Sequence, residues 1–154
     1  MATSDAMDNT IDLTADEDLA QSFLGTREEL EVDKYFRALV KLEGSDLHMK
    51  VGQPPIVRVD GALKQLNRGP IDRQEMVDLL FPMLTERTRV IFKDEGGCDF
   101  AYTVDVDGTD WRFRVNMLQQ LGSLGLVARR VNNFIPSFEK LYLPDGLEKL
   151  CQFD

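Results

Sequence analysis

The chain has little of what metal sites and hydrolytic triads are made from. Its 154 residues contain one histidine, His48, and two cysteines, Cys98 and Cys151, far apart and with no Cys/His cluster around them. A His-based zinc site or a Ser-His-Asp triad therefore has almost no material, and two reduced, buried thiols are expected. No run of about 18 apolar residues occurs, so no transmembrane helix is expected. The N-terminus lacks the basic, apolar, small-residue order of a signal peptide. No Gly-x-x-x-x-Gly-Lys-Ser/Thr phosphate loop is present; Gly96-Gly97 and Gly122-Ser123-Leu124-Gly125 lack the lysine and read as turns. By itself this chain is expected not to hydrolyse ATP.

Positive charge is also short. The net charge is −9, but most of it is local. Residues 1–31 hold nine carboxylates against Arg27, a net of −8, which leaves −1 for residues 32–154. That near-neutral remainder has no basic excess with which to bind nucleic acid by counterion release. Residues 1–25 are rich in Asp, Thr and Ala and are expected to be a disordered acidic tail, because they bury too little to offset ordering entropy. The alternative is a short docking helix built on Ile11, Leu13, Leu19 and Phe23.

The remaining composition, 43% hydrophobic, suits one globular domain. Thr26 to Glu29 fits a capping box, and Val32, Tyr35, Phe36, Leu39 and Val40 fall on one helical face up to a stop at Gly44. Leu47, Met49 and Val51 then alternate with Asp46, His48 and Lys50, and Ile56 to Val59 leads into the Asp60-Gly61 turn, a hairpin pattern. A third strand is expected over Ala62 to Leu66. Asp72 caps a second helix with Met76, Leu79, Leu80 and Met83 inward, ended by Pro82. Thr85 caps a third helix through Phe92 with Val90 and Ile91 as apolar anchors. Three longer alternating strands follow, with turns at Asp107-Gly108 and Gly122. Asp145 is expected to cap a short final helix with Leu147 and Leu150. Grouped strands and segregated helices give an α+β fold with an antiparallel sheet and the helices packed on one side.

Three features could carry chemistry. Arg112 and Arg114 leave one face of a strand, and either Arg129 or Arg130 joins them from the next, a donor array suited to phosphate or carboxylate. The plainer reading is a solvated face with cross-strand ion pairs to Asp105 or Asp110. Asp46 and His48 share a strand face; a hydrogen-bonded structural histidine is favoured over acid/base work, which needs a nucleophile beside the pair. Asp105-Val106-Asp107-Gly108 is part of a calcium-loop pattern, explained more simply as a hairpin turn. Trp111 falls on the apolar face and reads as core.

Several segments carry a resemblance in the same order. Gly44-Ser45-Asp46-Leu47-His48, Pro54-Pro55 with Arg58-Val59-Asp60-Gly61, Arg112-Phe113-Arg114-Val115-Asn116, Arg129 (with Ala128 where an aromatic is usual) and Ile135-Pro136-Ser137 to Leu141 resemble the N-terminal domain of the type IV pilus retraction ATPases, PilT-like members of the secretion ATPase superfamily. The resemblance implies a PAS-like domain over residues 26–134. Residues 135–154 would be a linker and the start of a RecA-like motor that is missing here. It implies a cytoplasmic homo-hexamer at the inner-membrane pilus or secretion machine. In the parent protein the motor would bind ATP and Mg, and each N-terminal domain would pack on a neighbour's motor domain. Arg112, Arg114, Arg129 and, more distantly, Arg58 would approach nucleotide there; this piece would bind no cofactor. The rival of another class is a free-standing PAS-like domain that takes a small ligand in its sheet cavity and therefore needs an open pocket.

Overall fold

The computed structural model describes residues 28–132, 135–144 and 146–150, without the side chains of 148 and 149. The expected tail, Thr26, the Asp145 cap and Cys151 lie outside the described residues.

The first helix among the described residues, α1 (Asp33–Lys41), does not start from the Thr26–Glu29 box. It begins at Asp33, whose carboxylate accepts from the Leu30 amide at 2.9 Å and from the Tyr102 hydroxyl at 2.6 Å. A buried carboxylate tied to the sheet sets the first turn, and it also complements the positive end of the helix dipole. Glu29 is engaged elsewhere, in an ion pair with Arg37. Val32, Tyr35, Phe36 and Leu39 are buried as their spacing predicts. The stop differs in detail. Glu43, not Gly44, takes the left-handed conformation, at φ 54°. Gly44 is required for space, because a Cβ there would lie 2.6 Å from Leu39 Cδ1 and 2.9 Å from the Arg58 carbonyl oxygen.

The strands β1 (Asp46–Lys50), β2 (Ile56–Val59) and β3 (Ala62–Gln65) form the expected meander. The next helix, α2 (Arg73–Leu80), is capped by Asp72, which accepts from the Glu75 amide at 2.9 Å. Pro82 converts its end into a 3₁₀ turn, Phe81–Met83. Helix α3 (Glu86–Glu95) is capped by Thr85 and runs three residues past Phe92 to a left-handed Gly96. Its anchor is Phe92; Val90 is 56% exposed and Ile91 only half-buried, contrary to the expected Val90–Ile91 anchor. Strands β4 (Gly97–Val106), β5 (Thr109–Gln120) and β6 (Ser123–Arg130) complete one six-stranded antiparallel sheet, ordered β3-β2-β1-β6-β5-β4. A short α4 (Gly146–Leu150) follows, with Leu147 and Leu150 exposed.

Period two decides the faces. Val57, Leu47, Ala128, Val115 and Phe100 lie opposite one another across five strands. That row and its neighbours face the helices, with α1 against β4 and β1, α2 against β6 and α3 against β4. At the centre, the Phe36 ring sits 4.8 Å from Phe113 and 4.9 Å from Tyr102. Trp111 packs at the margin of this core. Cys98 is buried and free, as expected of a structural thiol. The α+β architecture is the one the alternation implied; the PAS-like label rests on the resemblance alone.

Candidate functional site

The opposite face of the sheet carries the charge. Because β2, β1, β6 and β5 are in register, Arg58, Asp46, Arg129 and Arg114 stand side by side in one row. Arg112 lies two residues along β5 on the same face, opposite Thr103. Of the two tandem arginines, Arg129 joins the row. Arg130 turns to the other side, its guanidinium 5.2 Å from the centre of the Trp111 ring.

Asp46 is the hub. It is 5% exposed. Its Oδ1 accepts from Arg129 Nε at 2.9 Å, its Oδ2 accepts from the Ser45 hydroxyl at 2.8 Å, and Arg58 Nε stands 3.4 Å from Oδ2. Burial pushes its carboxyl pKa up, but the hydrogen bonds from Arg129 and Ser45, with the charges of Arg129 and His48, outweigh burial and hold it below the ordinary carboxylate value.

The four arginines are held very differently. Arg58 also donates to the Gly61 carbonyl at 2.9 Å, so it is spent on its own hairpin. Arg129 keeps 74% of its side chain in solvent despite its pair with Asp46. Arg114 makes only a loose, exposed contact with Asp99, Nε to Oδ1 3.7 Å, and such a pair contributes little. Among the described residues the Arg112 side chain has no hydrogen bond or ion pair and is exposed. The cross-strand ion pairs expected with Asp105 or Asp110 are thus formed with Asp46 and Asp99. Sequence reasoning missed both partners, and pairing the β1–β2 hairpin in register would have found Asp46 opposite Arg58. Two shallow grooves result: about 320 Å³ beside Arg112, Arg114 and Asp99, and about 350 Å³ between Asp46, Arg129, Arg114 and Asn116.

His48 departs from expectation. Its Nε2 is buried with no hydrogen-bond partner among the described residues. The ring borders an apolar groove of about 300 Å³ floored by Ile56, Leu63, Leu118 and Val127. Asp46 faces the neighbouring groove with its oxygens already engaged, so the two do not form an acid/base pair beside a nucleophile. Asp105 to Gly108 is a hairpin turn, with Asp107 and Gly108 at positive φ and Asp105 Oδ1 accepting from the Gly108 amide. Among the described residues no cluster of His, Cys, Asp or Glu is placed to hold a metal, and no helix is long and apolar enough to cross a membrane.

No protein-family model matches the chain. It is 32% identical over 122 residues to the type IV pilus ATPase PilU of Pseudomonas aeruginosa, covering 79% of this chain and 31% of PilU. It is 29% identical over 121 residues to the type IV pilus retraction ATPase PilT of the same organism, covering 79% of this chain and 34% of PilT. The chain therefore spans about a third of the length of these relatives. Among solved structures, the pilus retraction motor PilT with bound ADP superposes with a TM-score of 0.68 at 32% identity, over 81% of this chain and 36% of that one. The Legionella pneumophila ATPase DotB shares the fold, with a TM-score of 0.63 at 20% identity over 80% of this chain and 36% of that one. The chain belongs to the PilT-like secretion ATPase family, whose N-terminal region it matches over most of its length.

Proposed function

We propose that this domain is the coupling element of a hexameric pilus-retraction or secretion ATPase. It packs on the motor domain of a neighbouring subunit and presents arginines to the nucleotide held there. The observation that carries this reading is the arginine row on the sheet face away from the helices, with Arg112 unpaired among the described residues and Arg114 and Arg129 mostly in solvent. A guanidinium brought to a phosphoryl group stabilises charge that develops in transfer. Arg112 and Arg114 are the residues best placed to leave their present contacts; Arg129 follows, and Arg58 serves mainly to hold the row. ATP and Mg belong to the motor, which supplies the phosphate loop this chain lacks. Residues 135–154 lead into that motor, and the exposed Ile135, Tyr142 and Leu150 are the kind of surface it would cover. Such an assembly works in the cytoplasm, at the pilus or secretion machine of the inner membrane.

The relationship to PilU and PilT favours this reading, and no observation favours a free-standing ligand sensor. The space between sheet and helices is filled by Phe36, Phe113, Met76 and Met117.

The test is made in the full-length protein that includes the motor. Arg112→Ala and Arg114→Ala, each with an unchanged hexamer and an unchanged circular dichroism spectrum, are expected to lower the ATPase rate at least tenfold. Rates equal to wild type in both variants overturn the arginine role.

A further inference from the structure

The core is filled, but a cleft opens at its rim. It lies on the helix side of the sheet, where α2, the 3₁₀ turn and α3 meet the β5–β6 hairpin, and has a volume of about 510 Å³. That volume is in the range of small-molecule sites. Its floor is apolar and is formed by Val77, Phe81, Leu84, Phe92 and Leu124. Phe92 is buried, whereas Phe81, which meets it edge to face at 6.3 Å between ring centres, stays 39% exposed. Covering the rest of that ring would be favourable.

The rim is cationic. Arg73 comes from α2, Arg89 and Lys93 come from α3, and among the described residues no carboxylate lines the cleft. This is a local excess, because residues 32–154 carry a net charge of −1. Arg89 and Lys93 are four apart on one helix, a spacing at which like charges destabilise. Neither side chain has a hydrogen bond or ion pair among the described residues. Arg73 reaches the Ser123 hydroxyl at 3.3 Å and has no ion pair there. The fold thus keeps unpaired cations over an apolar floor and gains nothing from them by itself. An anion placed between them would remove the repulsion and use the fork geometry of the two guanidiniums.

We infer that this cleft binds a small anionic molecule with an apolar body, its phosphate or carboxylate on Arg73, Arg89 and Lys93 and its apolar part on Phe81, Leu84 and Phe92. Both properties are needed together. An anion alone keeps its water and leaves the Phe81 ring exposed; an apolar body alone leaves the cations unpaired. The cleft is on the opposite side of the sheet from the arginine row, so the inference goes beyond the coupling role and does not depend on it.

The test uses the 154-residue chain and octyl phosphate as the probe, kept below its micelle concentration. The amide NMR signals of Val77, Phe81, Gln119 and Leu124 report the cleft. Saturable displacement of these signals is expected, with inorganic phosphate and octanol each binding about tenfold more weakly or worse. R73Q, and R89Q combined with K93Q, are each expected to weaken octyl phosphate about tenfold and to leave octanol unchanged, with circular dichroism as a check on the fold. K64Q, which removes a cation of β3 outside the cleft, should match wild type. No saturable displacement by octyl phosphate overturns the inference. Equal affinity for octyl phosphate and octanol also overturns it, since the cations would then have no role. So does binding to vesicles of anionic phospholipid without a response to octyl phosphate, which would make a membrane surface the occupant.

Discussion

Asp46 and Arg129 face each other in direct register across β1 and β6, with Nε 2.9 Å from Oδ1, the carboxylate buried and the arginine largely in water. The hydrogen bonds of this pair are set by the strand ladder and not by side-chain chance, so the row is preorganised before any partner arrives. The pair also links the β1–β2 hairpin to the three long strands through side chains as well as backbone.

Asp46→Asn should therefore destabilise the domain by about 1–3 kcal/mol, the usual cost of losing hydrogen bonds to a charged group. Urea unfolding at neutral pH measures it. The native carboxyl is held below its ordinary value, so its contribution is present above the unfolded carboxylate pKa of about 4 and fades as pH falls through the lower native value. The gap between wild type and Asp46→Asn should accordingly shrink on acidification. A gap that stays constant into strong acid would show that charge is not its source.

Gly44→Ala and Glu43→Gly are expected to act in opposite directions. The added methyl meets a backbone carbonyl oxygen that cannot move without disturbing β2, costing about 1–3 kcal/mol. Glycine at position 43 relieves a left-handed non-glycine residue, a gain of at most about 1 kcal/mol. Thermal melting of the two variants gives the sign directly.

Phe36→Ala should cost about 3–5 kcal/mol, because the buried ring packs against both Tyr102 and Phe113 at the centre of the core. A loss below about 1 kcal/mol in denaturant titration would mean that the helix layer is not the seat of the core.

Cys98 should resist thiol reagents. Burial, followed by the charge of Asp99, pushes its pKa up, which leaves little thiolate at pH 8 and little access to it. Labelling followed by mass spectrometry should be slow in buffer and fast in denaturant. Rapid labelling of the native protein would contradict the packing of β4 against α3.

Much of this was legible in the chain. The strand alternation, the turns and the caps at Asp72 and Thr85 follow from local rules, and so does the segregation of Arg112 and Arg114 from Phe113 and Val115. What was not legible depends on contacts distant in sequence. Thr26 to Glu29 has the pattern of a helix start, but the Asp33–Tyr102 hydrogen bond spans 69 positions and fixes the start later. Val90 and Phe92 are equally apolar on paper, and only the docking of α3 on the sheet selects Phe92. The counter-ions of the arginine row needed a register, and β1 pairs with β6 across more than 80 residues of chain. His48 was expected to find a partner because buried imidazoles usually do; among the described residues its Nε2 has none, and no sequence signal marks that.

The two ends of the sheet are unequal. β3 has four residues, all exposed, whereas β4 runs for ten and, among the described residues, has a hydrogen-bonded neighbour on one side alone. A border strand of this length invites other chains to add on wherever nothing covers it. Asp99 and Asp105 project from that border, so two molecules meeting there in antiparallel fashion bring like charges together. Neutralising both aspartates would remove this repulsion and leave the protein prone to edge-to-edge aggregation.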